Sequence, residues 1–130
     1  MTGQFINVDV EIFSDRPLGG LKREFEALGA FYLYCGRVPS GYLLSLEMNT
    51  FLVAKLERRL VSVCRLVERL SPKGRKIWDA AKDRSFDIGM KAFVGNPMVQ
   101  FSVQPDLLQR VTALGGTLSV TVFGPETYPE

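Results

Sequence analysis

Asp9 and Glu11 stand two residues apart in the run FINVDVEIF, each between apolar neighbours. In an extended strand that spacing puts both carboxylates on one face, about 6.5–7 Å apart. Glu47 in GYLLSLEM and Asp87 in SFDIGMK hold polar positions in runs of similar alternation. Tyr32 and Tyr34 repeat the two-residue spacing within AFYLYC. Carboxylates on an open sheet face can receive a basic partner surface, because complementary charge steers association and tyrosines anchor interfaces. The same carboxylates could serve as acid or base inside a pocket between sheet and helices. Asp9, Glu11, Tyr32, Tyr34, Glu47 and Asp87 are therefore the candidate partner-binding residues, and no catalytic or metal-ligating set is assigned.

Most other chemistry is excluded by what the chain lacks. There is no histidine, which removes Ser-His-Asp and Cys-His arrangements and every histidine-containing metal site. Gly19-Gly20-Leu21-Lys22 lacks the spacing of a phosphate-binding loop, and neither GxGxxG nor GxSxG occurs. Cys35 and Cys64 are the two cysteines and form no CxxC pair. Both are expected to be reduced, small buried hydrophobes. Arg37 and Arg65 lie near them in sequence but single out neither thiol as a nucleophile. No cofactor is expected, and the reading is that of a non-enzyme.

A second pattern is basic. Lys55, Arg58, Arg59, Arg65 and Arg69, with Lys73, Arg75 and Lys76 beyond, could meet phosphates. Glu57 and Glu68 interrupt the pattern, aromatics are not interleaved, and the net charge is only +2. A solvated helix face explains it, so nucleic acid is not an expected partner.

These side chains are carried by elements that the hydrophobic pattern makes legible. Phe5 to Ser14 alternates, with Ile6, Val8, Val10 and Ile12 on one side and Asn7, Asp9 and Glu11 on the other. Asp15 fits an N-cap and Pro17 the first turn of a helix with apolar face Leu18, Leu21, Phe25 and Leu28, ending at Gly29. Ala30 to Cys35 and Gly41 to Met48 read as a hairpin around the loop Gly36 to Gly41. Thr50 to Leu70 contains no Gly or Pro and repeats Leu52, Val53, Leu56, Leu60, Val63, Cys64, Val67 and Leu70 at helical steps. Asn49 or Thr50 would cap that long helix. Ser71-Pro72 starts a shorter one over Lys73 to Lys82 that buries Ile77, Trp78 and Ala81. Ser85 to Phe93 and Met98 to Val103 read as a second hairpin around Val94 to Pro97. Pro105 opens a helix with Leu107, Leu108, Val111 and Leu114, and Leu118, Val120 and Val122 mark a last strand. The triplets Ala27-Leu28-Gly29 and Ala113-Leu114-Gly115 echo each other, as a degenerate duplication or as two similar helix ends would.

The order βαββααββαβ predicts an α+β domain over residues 1–130. It is a two-layer sandwich with a mostly antiparallel sheet of about six strands, helices on one face, partly ferredoxin-like. A chain of 130 residues with 46% hydrophobic residues can bury a core without disulfides or metals. MTGQFINVDV shows no basic segment followed by an apolar run, and no apolar stretch reaches the ~20 residues needed to span a bilayer. A soluble cytoplasmic protein with no membrane contact is expected.

The runs FINVDVEIFSD, GYLLSLEM, SPKGRKIWDAAKDRSFDIGMKA and LLQRVTALGGTLSVTVF resemble small bacterial domains of unknown function, some of which are similar to immunity proteins of toxin systems. The resemblance implies a small binding protein that neutralises a cognate toxin; it brings no active residues with it. A small-molecule-binding regulator or enzyme with a carboxylate pocket is the alternative. A homodimer through a sheet face or free edge would compete for the same surface.

Overall fold

The computed structural model describes residues 4–48, 55–91 and 100–124. Alternation at the N-terminus produces strand β1, Gln4–Ser14. Helix α1, Gly19–Ala27, follows and ends where Gly29 turns the chain at a positive φ of 99°. Asp15 does not cap this helix. Leu18 sits at the N-cap position without a side-chain bond, and Asp15 forms an ion pair with Lys82 at 2.8 Å. Strands β2, Ala30–Val38, and β3, Gly41–Met48, form the expected hairpin. Its connection is shorter than the sequence suggested: β2 runs on to Val38, and only Pro39 and Ser40 make the turn. Gly41 is needed there because a Cβ would lie 2.5 Å from the Ser14 carbonyl oxygen.

Helix α2, Leu56–Glu68, is the described part of the long amphipathic helix; the proposed caps Asn49 and Thr50 lie outside the described residues. Its buried residues Leu60, Val63, Cys64 and Val67 are those of the apolar stripe, with Leu66 added. Helix α3, Pro72–Ala80, begins as expected: the Ser71 hydroxyl accepts the Gly74 N–H at 3.0 Å and Pro72 occupies the first turn. Glu24 of α1 accepts bonds from both the N–H and the hydroxyl of Ser71, which ties the two helices together. Its carboxylate fills the space a side chain at Gly74 would need. Strand β4, Asp83–Lys91, helix α4, Pro105–Ala113, and strand β5, Thr117–Phe123, complete the order.

The second hairpin is not found among the described residues. Residues 92–99 lie outside them, and Gln100 to Val103 is not a strand. Among the described residues the order is βαββααβαβ, and the sheet has five strands, β2-β3-β1-β4-β5, rather than about six. Three pairs are antiparallel, but β5 joins β4 in parallel. A parallel neighbour requires a crossover, and α4 lies in the connection that returns the chain to the same end. The first four strands keep the β2-β3-β1-β4 order of a split βαβ unit, which is the ferredoxin-like part of the arrangement. The echoed triplets have a local cause. Gly29 and Gly115 both take positive φ, and their N–H groups bond to Glu26 and Thr112, so each triplet is the same helix ending.

One face of the sheet carries Val8, Val10, Ile12, Leu44, Leu46, Phe86, Ile88 and Met90, which join apolar residues of all four helices in a single cluster. Trp78 is its hub. The indole is fully buried, stacks on Phe86 at 6.1 Å, meets Phe25 edge-on at 6.2 Å, and donates to the Leu114 carbonyl at 2.8 Å. Arg84 closes the same region from outside: its guanidinium donates to the carbonyls of Trp78, Asp79 and Gly115, satisfying the C-terminal ends of α3 and α4 together. Among the described residues, no helix is long and apolar enough to cross a membrane.

Trp78→Ala removes the hub and orphans the Leu114 carbonyl. It should lower unfolding free energy by about 3–5 kcal/mol, read as a fall in urea midpoint by circular dichroism.

Candidate functional site

Directly opposed residues in neighbouring strands share a face, so the register maps the side of the sheet away from the helices. Asp9 of β1 lies opposite Glu47 of β3 on one side and Asp87 of β4 on the other. The row continues to Phe31 at the β2 edge and Ser119 at the β5 edge. Glu11 is in the next row, between Ser45 and Ser85. The sheet thus brings together the four acids proposed from the sequence. Three of them lie side by side, with neighbouring Cβ atoms about 4.5–5.5 Å apart.

The tyrosines are separated. Tyr34 is opposite Ser45 and lies on the acidic face, where its ring covers Gly36 and its hydroxyl donates to the Arg37 carbonyl at 2.7 Å. Tyr32 is opposite the buried Leu46 and so lies on the helix side, with the Lys22 ammonium 3.9 Å from its ring centre. The expectation that both share one face fails because the register shifts between them. Leu33 is the extra residue of a bulge, and one extra residue reverses the facing of all that follows.

The three acids in the row are held differently. The Asn7 amide donates to Glu47 at 2.6 Å, while the same side chain accepts from Arg59 of α2 at 2.7 Å. Among the described residues, pairing of β1 with β3 stops at Asp9, while pairing with β4 includes Asn7. The Thr121 hydroxyl lies 2.9 Å from both oxygens of Asp87. Asp9 Oδ1, between them, is buried and has no hydrogen-bond partner among the described residues. Burial, followed by the charges of Glu47, Asp87 and Glu11, pushes the Asp9 pKa up from 3.8 to about 6. Asn7 and Thr121 sit at polar steps of their strands, but their partners on other strands could not be read from local pattern.

Beside the row an open hollow of about 360 Å³ is lined by Glu11, Asp83, Asp87, Ser85, Ser119 and Thr121 over Phe13 and Leu43. Ser85 and Ser119 are hydrogen-bonded across it at 2.9 Å. Its apolar floor and acidic rim suit an arginine or lysine side chain, whose methylene stem packs while the charged head meets carboxylates. A second hollow of about 390 Å³ near Ser14 to Pro17 and Lys76 to Ala80 contains none of the row. Among the described residues, no group of three or more Cys, Asp or Glu side chains is arranged to hold a metal ion.

The alternative sites are weaker in geometry. Cys64 is fully buried and burial raises its thiol to about 11, which leaves it protonated at neutral pH; both cysteines are free thiols. The basic pattern is divided. Lys55, Arg58, Arg65, Arg69 and Lys73 are exposed, whereas Arg59 is turned to Asn7 and Arg75 pairs with Asp79 at 3.1 Å. Glu68, at the end of α2, is bound by two nitrogens of Arg110 at 2.6 and 2.8 Å, which holds its carboxyl below the usual range.

Because Asp9 binds its proton more tightly folded than unfolded, it opposes folding least below about pH 4, and that cost grows as pH rises through 6. Asp9→Asn should therefore stabilise the protein at pH 8, by about 1–2 kcal/mol after allowance for solvent screening, and by less than that at pH 4. Urea denaturation of both proteins at the two pH values checks the difference.

Comparison with family models, with curated proteins and with solved structures yields no match to this chain.

Proposed function

We propose that this is a stoichiometric binding protein whose acidic sheet face receives a cationic surface of another protein, as an immunity protein receives its toxin. The observation that carries the reading is the row of three carboxylates Glu47, Asp9 and Asp87, whose buried middle oxygen has no donor among the described residues. Crowded like charges destabilise the free protein, and a lysine or arginine from a partner, seated against the more accessible Glu11, Asp83 and Asp87, supplies compensating charge. A surface built this way contributes more after binding than before it. The absence of histidine and of nucleotide-binding motifs fits recognition rather than turnover. A toxin acting on nucleic acid carries the basic surface that such a face would complement.

The partner's cation has a specific berth in the hollow over Phe13 and Leu43, with Glu11, Asp83 and Asp87 around it. The hollow also gives the second reading its support, since a small amine would fit the same chemistry. It is open, however, and Glu11 and Asp87 are only partly buried at its wall. A protruding side chain on a broad surface matches that shape better than an enclosed ligand does.

Coexpression with the product of the neighbouring gene should give a complex and, where that product is toxic, restore growth. Asp87→Lys should slow association by at least about tenfold at low salt, with the difference shrinking as salt rises. An unchanged on-rate at low salt would place the interface elsewhere. Absence of both rescue and complex would remove the immunity reading. Saturable binding of spermidine, lost in Asp87→Lys, would favour the small-ligand alternative.

A further inference from the structure

Among the described residues the sheet ends at β2 and at β5, and the two edges are finished differently. At β2 the outer strand carries a bulge at Leu33, a charge at Arg37 and a backbone carbonyl already satisfied by Tyr34. These features hinder addition of another strand. At β5 none of them is present. Thr117–Phe123 reads TLSVTVF, with no charge, Gly or Pro, and its seven residues pair with β4 in unbroken register. Val120 and Val122 lie opposite the buried Ile88 and Met90, yet they are 44% and 55% exposed, and Phe123 is 53% exposed. The helix layer leaves the apolar side of the last strand uncovered.

We infer that β5 pairs antiparallel with β5 of a second copy about a two-fold axis at Thr121, joining two sheets into one. About Thr121 the two exposed valines take each other's positions. On the helix side, Val120 of each copy meets Val122 of the other, so the exposed valines cover one another. On the outer side Ser119 meets Phe123, and Thr121 meets Thr121 with its hydroxyl drawn back to Asp87. Charge does not oppose the pairing. Thr121 is in register with Gly89 of β4, and Asp87 and Lys91 lie two residues to either side of that glycine. The two-fold axis exchanges these positions, so each outer row starts at Asp87 of one copy and ends at Lys91 of the other. A shift of the axis to Ser119 would leave Val122 and Phe123 overhanging. A charged partner strand gains nothing from an edge that carries no charge, whereas a second copy brings the matching valines.

The contact is small, a few hundred Å² of apolar surface per copy by the exposures of Val120, Val122 and Phe123, which is the range of weak, concentration-dependent association. Because the axis is perpendicular to the sheet, both acidic rows face the same way in the pair. Ser119 and Thr121 border both this edge and the acidic hollow, so self-association is read from mass and cross-linking rather than from binding at the acidic face.

Sedimentation equilibrium of the full chain over a concentration series up to millimolar should show a shift from one chain mass towards two. Val122→Lys should abolish that shift while leaving the circular dichroism spectrum unchanged, and Leu33→Lys, at the other edge, should leave the shift intact. Thr121→Cys should be captured as a covalent dimer by a short thiol cross-linker, above the background of the unsubstituted chain, whereas Leu33→Cys should not. A chain that stays monomeric throughout overturns the inference. So does a dimer that survives Val122→Lys, or one cross-linked through position 33 and not 121. If Val122→Lys fails to fold, the cross-linking pair decides alone.

Discussion

The register of β1 is the constraint on which the molecule depends. It is the central strand, paired with β3 on one side and β4 on the other. Because strand side chains alternate with a period of two, a slip of one residue against either neighbour would exchange its faces. Val8, Val10 and Ile12 would leave the core, and Asp9 and Glu11 would enter it. Burial of the apolar set makes that slip prohibitively costly. The same pairing that closes the core therefore aligns Asp9 with Glu47 and Asp87. The row of acids is a by-product of hydrophobic registration in position, but its composition is independent of it, since any polar residue would satisfy the outer face.

The helix layer holds this register from the other side. Trp78 links α3 to α1 through Phe25, to β4 through Phe86 and to the end of α4 through the Leu114 carbonyl. Arg84 leaves β4 to bind the carbonyls that end two helices, and Glu24 of α1 closes the start of α3. A sheet clamped in this way can carry an unfavourable outer face without rearranging. Local choices agree with the fold almost everywhere in such a protein, and the place where they do not is informative. Asp9 is that place. Its carboxylate is disfavoured by burial and by three neighbouring acids, and Asn7 and Thr121 relieve its neighbours instead.

Much of the architecture was legible from short-range pattern. The alternation in FINVDVEIF, the helical stripe ending at Leu70, the Ser71-Pro72 start and the two Leu-Gly helix endings each follow from a local physical rule. The errors are local preferences that the fold did not use. Asp15 has the chemistry of an N-cap, but the helix begins only at Gly19, with Leu18 at the cap position. Phe101 and Val103 alternate as a strand would, yet they pack against the core as irregular chain. Tyr32 and Tyr34 are spaced to share a face, but a bulge that depends on pairing with β3 parts them. In the last two cases contacts with residues far along the chain outweighed the local preference.

For the candidate site the division is the same. The residue sequence by itself determined which side chains are available: four acids at polar steps of strands, no histidine, and no motif for a nucleotide. It also determined that the acids of one strand would share a face, because the strand period is intrinsic to the backbone. Only the tertiary structure decided that Asp9, Glu47 and Asp87 lie in one row, that Thr121 and Asn7 serve the outer two, and that the middle oxygen is left without a donor among the described residues. Those facts rest on which strands are neighbours and in what register. Long-range burial of apolar side chains sets both, and no local stretch of sequence contains them.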